Sequence, residues 1–63
     1  MNIQQAMTKA SKIAKAKKVE RFIVREDGQY FVASYFDLET VFNGATPVLC
    51  VNADGSVESA HTC

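Results

Sequence analysis

Three residues of this 63-residue chain carry the thiol or imidazole side chains from which structural zinc sites and Cys/His nucleophiles are built: Cys50, His61 and Cys63. A structural zinc site closes with four such ligands, most often with paired cysteines. This set is one ligand short and holds no close cysteine pair, so no metal and no cofactor is expected. A Cys/His nucleophile needs a third group to orient the imidazole, and none stands near His61 and Cys63 in the sequence. Asn52-Ala53-Asp54-Gly55 superficially suits calcium, but an EF-hand loop has glycine at its sixth position and a bidentate glutamate at its twelfth. Counted from Asn52, glycine falls fourth and Cys63 twelfth. There is no glycine-rich phosphate loop. A chain this short also encloses little water-excluding volume. The expectation is a protein without catalytic activity.

The charges are the next chemistry to weigh. Seven basic residues balance seven acids, so the net charge is zero. All seven basic residues lie between Lys9 and Arg25, with Glu20 as the one acid among them, which leaves residues 1–25 at +6 and residues 26–63 at −6. Such a division suits a solvated basic helix, a surface that meets nucleic acid or an acidic protein, or head-to-tail self-association. The nucleic-acid reading would use Lys9, Lys12, Lys15 and Lys18. Arg21, Arg25 and Tyr30 make a second basic surface, since arginine beside an aromatic on a strand suits backbone contact and base stacking. The acidic second half and the zero net charge count against phosphate, which leaves nucleic acid as the alternative.

These residues must be positioned by a single small domain spanning residues 1–63. The apolar share is 48 % and the charged share 22 %, a balance that excludes a disordered, collagen-like or disulfide-dense chain. No apolar run reaches the roughly 18 residues of a membrane span, and no apolar core of a signal peptide is visible. A cytoplasmic protein with reduced thiols is expected, with Cys50 packed as a small hydrophobe.

Residues 2 to 17 read as an amphipathic helix. Ile3, Ala6, Met7, Ala10, Ile13 and Ala14 fall within an arc of about 120°. Asn2 is its N-cap, and Gln5 completes a capping box. Val19–Glu26 and Gln29–Phe36 read as a β-hairpin about Asp27-Gly28, a pair that suits a type I′ turn. That turn sets Arg25 opposite Tyr30, Val24 opposite Phe31, Ile23 opposite Val32 and Phe22 opposite Ala33. Residues 37 to 42 fit a two-turn helix capped by Asp37 and stopped by Asn43-Gly44, although Phe36, Leu38, Thr40 and Phe42 also alternate as a strand does. Ala45-Thr46-Pro47 reads as a loop, because proline cannot donate to a central ladder. Val48–Asn52 and Ser56–Ala60 form a second hairpin around Ala53-Asp54-Gly55, with Leu49, Val51 and Val57 on one face. The predicted fold is α+β: an N-terminal amphipathic helix packed on an antiparallel sheet of two β-hairpins, with a short helix between them.

The helix is expected to cover the face holding Phe22, Val24, Phe31, Ala33 and Tyr35. One alanine-rich helix covers one side of a sheet, so Ile23, Tyr30 and Val32, with Phe36 beside them, would lie on the bare side, the alternative being that the short helix with Leu38, Val41 and Phe42 folds over that face. Contiguous exposed apolar surface marks an association site. Ile23, Tyr30 and Val32 are therefore the expected protein-interface anchors, with Arg21 and Arg25 as rim charges. In size and design the chain resembles the small accessory products of phages and other mobile elements. That resemblance implies a protein that binds a host protein. The expected partner is thus a protein or a second copy of this chain, as a homodimer, with no membrane and no small-molecule substrate.

Overall fold

A computed structural model describes residues 1–43 and 45–60. The Asn2 side chain accepts from the Gln5 N–H at 2.8 Å, and the Asn2 N–H donates to Gln5 Oε1 at 3.2 Å. This reciprocal cap satisfies backbone donors that a helix start leaves without partners. Helix α1 runs from it over Ile3–Lys17. At its far end Lys18 turns left-handed (φ 55°) and its N–H donates to the Ala14 carbonyl. Lys15 and Lys17 occupy the last turn, where the helix dipole favours cations.

Strands β1 (Arg21–Glu26) and β2 (Gln29–Ala33) follow. Asp27 (φ 53°) and Gly28 (φ 77°) both take positive φ, as a type I′ turn requires. The register is the expected one: Phe22 pairs with Ala33, Ile23 with Val32, Val24 with Phe31 and Arg25 with Tyr30. Strand β2 stops at Ala33, short of the expected Phe36. Ser34 Oγ accepts from the Asp37 N–H at 3.1 Å, and the Ser34 N–H donates to Asp37 Oδ2 at 3.1 Å. A helix start is thereby set at Ser34, and α2 spans Tyr35–Glu39. Residues 37–42 are thus not a two-turn helix capped by Asp37. Asp37 is the far partner of the cap, and hydrogen-bonded turns follow, with Phe42 N–H donating to the Asp37 carbonyl at 2.8 Å. Of the expected Asn43-Gly44 stop, Gly44 lies outside the described residues, as do His61 and Cys63.

Strands β3 (Pro47–Val51) and β4 (Val57–Ser59) complete an antiparallel sheet of order β2-β1-β3-β4. Pro47 belongs to a central strand after all. It is the first residue of β3 and sits at a bulge, where Ile23 pairs with Leu49 but Val24 with Pro47. Those are two of the places where a strand tolerates a residue without an N–H, an edge strand being the third. The fold is α+β.

Packing corrects the expected facing. Helix α1 lies on Ile23 and Val51, which are fully buried with Ala6, Ala10 and Ala14, and Met7, Tyr30, Val32 and Leu49 flank that cluster. The opposite face holds Phe22, Val24, Ala33 and Cys50, all buried. Aromatic rings from the chain after β2 lie against it: Tyr35 meets Phe22 edge-on at 5.1 Å, and Phe42 meets Phe31 at 5.7 Å. The physical reason is that β1 is apolar on both sides, with Phe22, Ile23 and Val24 buried in succession. Alternation then carries no preference for one face. Size complementarity supplies it. Flat alanines seat against Ile23 and Val51, while the aromatic face takes aromatic partners.

Candidate functional site

The five expected interface residues do not form an open surface. Ile23 is fully buried beneath α1, and Tyr30 and Val32 are half-buried against the same cluster. Arg21 is half-buried and Arg25 exposed. Ile23 and Val32 therefore support the fold and cannot anchor a partner on an open sheet face.

The exposed apolar surface lies elsewhere. Tyr35 is 68 % exposed, Phe36 70 % and Val41 74 %. The cap at Ser34 produces this arrangement. By starting a helix immediately after β2, it turns Tyr35 and Phe36 out of the strand alternation and onto successive helical positions. Tyr35 keeps one ring edge on Phe22, and the Phe36 ring has no ring partner among the described residues. Thr40 Oγ1 donates to the Phe36 carbonyl at 2.8 Å and tightens the end of the helix. The sequence signal for the exposure of Tyr35 and Phe36 is Ser34-x-x-Asp37, a variant of the capping box with a shorter acid at its last position.

The basic alternative is also on the surface. Lys9, Lys12, Lys15 and Lys18 are all exposed, and α1 carries no acid along its length. The Lys18 backbone is left-handed, so Lys18 departs from the stripe that Lys9, Lys12 and Lys15 make. Lys12 and Lys15 border a shallow groove with Met7, Ser11 and Val57.

The β3–β4 turn is tied to α1 at Ser11, a residue of that groove. Ser11 Oγ donates to the Gly55 carbonyl at 2.7 Å. Asp54 Oδ1 accepts from Ser56 N–H at 2.9 Å and from Ser56 Oγ at 2.6 Å. These Ser56 hydrogen bonds lead in holding the Asp54 carboxyl below its ordinary range, with a smaller contribution from the Lys15 charge. Gly55 has φ +93°, and a Cβ there would lie 2.5 Å from Lys15 Cε and 3.0 Å from Ser11 Oγ. Gly28 has φ +77° with nothing within 4 Å of a Cβ. Gly55→Ala is therefore expected to destabilise by about 2 kcal/mol and Gly28→Ala by about 1 kcal/mol, the second through backbone strain alone. Paired urea titrations measure the difference. Equal losses would mean that the turn is not seated on α1.

Cys50 is buried, and its thiol donates to Glu20 Oε2 at 3.8 Å. Among the described residues no cluster of His, Cys, Asp and Glu is placed to hold a metal ion. No helix among them is long and apolar enough to cross a membrane. Compared with protein-family models, curated proteins and solved structures, the chain matches none.

Proposed function

We propose that this chain is a small non-enzymatic interaction module, acting in the cytoplasm, that associates with another protein through the exposed apolar residues of the segment after β2, Tyr35, Phe36 and Val41. The observation that carries the reading is the exposure of these three large apolar side chains, each about two-thirds or more open to solvent, within one seven-residue stretch. Leaving such groups in water forgoes roughly 1.5–3 kcal/mol of burial free energy each, and exposed aromatic residues of this kind are enriched as interface anchors. The resemblance in size and design to accessory products of phages and mobile elements supports a host protein or a second copy as partner.

The test is Phe36→Asp combined with Val41→Asp. Both positions are exposed, so the variant is expected to hold its stability within about 0.5 kcal/mol of the parent. Light scattering behind size exclusion reads self-association, and affinity capture from nuclease-treated lysate at high salt reads a host protein. Loss of the dimer or of the captured protein in the double variant supports the reading. Association unchanged by the double variant, or no association in either assay, overturns it.

A second reading follows from the acid-free stripe of Lys9, Lys12 and Lys15 with the adjoining Lys18: binding to nucleic acid. Its mark is an affinity for mixed DNA that falls linearly with log salt, with a slope of about −0.9 per phosphate neutralised. A flat salt dependence removes this reading.

A further inference from the structure

Among the described residues the sheet ends at β2, with β1 its one neighbour. Along such an edge, residues alternate between those whose N–H and C=O face the neighbouring strand and those whose groups face outward. Tyr30 is of the outward kind, because its N–H donates to the Met1 carbonyl at 3.1 Å. Val32 stands two positions on and presents its own N–H and C=O on the same side. The Ser34 N–H that follows is taken by Asp37 Oδ2 at 3.1 Å. One stretch of edge backbone at Val32 is thus aimed away from the sheet, next to a position that already pairs with an extended segment at Met1.

This edge lies in a groove of about 330 Å³ between α1 and the chain that follows β2. Ile13 on one side and Phe31 with Phe42 on the other make its walls apolar. Lys9, Lys17 and Arg21 stand along it, against Asp37 as the one acid, whose carboxylate is held by the Ser34 N–H.

We propose that this groove takes an extended acidic segment of another protein, which adds to β2 as a further strand. The backbone at Val32 supplies hydrogen bonds of ladder type, the wall of Phe31 and Phe42 receives alternate side chains of the guest, and the three cations on the α1 side select acidic residues between them. The charge argues against a second copy as the occupant, because β2 paired with β2 would bring two sets of Lys9, Lys17 and Arg21 together. The site includes none of Tyr35, Phe36 and Val41, so the failure of either proposal leaves the other standing.

The experiment uses the full chain and three labelled peptides of about ten residues, long enough to span a strand. The first alternates valine with glutamate, and the second alternates valine with lysine. The third is the glutamate peptide N-methylated at its central residues, valine and glutamate alike, which keeps charge and side chains but lacks the backbone donors in either register. Fluorescence anisotropy reads binding, and amide hydrogen exchange of Val32 reads strand addition. The glutamate peptide is expected to bind saturably and to slow Val32 exchange by at least about tenfold at saturation. The lysine and N-methylated peptides are each expected to bind at least about tenfold more weakly. Arg21→Gln with Lys17→Gln, checked for an unchanged circular dichroism spectrum, is expected to weaken the glutamate peptide by a similar factor. Absence of saturable binding overturns the proposal. So does equal binding of the N-methylated peptide, which would show charge attraction without strand pairing. Concentration-dependent dimerisation that protects the Val32 amide with no peptide present overturns it in favour of a second copy.

Discussion

Ile23→Ala is expected to lower the unfolding free energy by about 3–4 kcal/mol, near the upper range for removing a buried branched side chain. Ile23 sits in β1, an inner strand, paired with Val32 on one side and Leu49 on the other. Its side chain is fully buried in the cluster with Ala6, Ala10, Ala14 and Val51. The alanines above it have no rotamers with which to refill the space, so most of the cavity remains. A chain of this length has a total stability of roughly 3–9 kcal/mol, so the loss is a large share of the whole. Ile23→Glu adds an unpaired buried charge and is expected to prevent folding outright. Urea titration followed by circular dichroism measures both. If Ile23 were an exposed anchor on an open face, Ile23→Ala would cost less than about 0.5 kcal/mol. A value that small would mean that α1 does not lie where the structure places it.

The same residue shows what could be read before the fold was known. Asn2 with Gln5, and Asp27 with Gly28, are local devices whose chemistry is complete within four residues. The α1 start and the β1–β2 register therefore follow from the sequence directly. Which face of the hairpin meets α1 is a long-range matter. It depends on Phe22, Ile23 and Val24 being apolar without interruption, and a period of two cannot rank two apolar faces. What does rank them is the size of the partners: alanines on α1, aromatic rings at Tyr35 and Phe42. The short helix was displaced by competition between two caps, Ser34 and Asp37. Ser34 wins because it can recruit Asp37 as the second half of its box, whereas Asp37 as a cap has Thr40 three positions on. That shift of three residues moves Tyr35 and Phe36 from the expected strand into a helix, and so relocates the candidate site. The place of Pro47 in β3 is hidden from the sequence for a related reason, since the bulge that admits it depends on pairing with β1.

Ala10→Leu is the other change expected to act strongly, and it probes the same contact from above. Leucine and alanine are both strong helix formers, so the substitution isolates packing from propensity. Ala10 is fully buried at the middle of the α1 face, between Ala6 and Ala14. The row of methyl groups lets the helix sit close to the sheet, and a leucine there must either push α1 away or take a strained rotamer. The expected loss is about 2–3 kcal/mol, read by thermal and urea unfolding. Ala10→Leu together with Ile23→Ala restores the summed side-chain volume of the cluster. The double variant is expected to be more stable than the sum of the two losses predicts by about 1–2 kcal/mol, the coupling of residues that share a packing site. Strict additivity would place Ala10 and Ile23 in separate environments. Rescue would establish that alanine is present along α1 because β1 is bulky beneath it, which is the relation that buries Ile23.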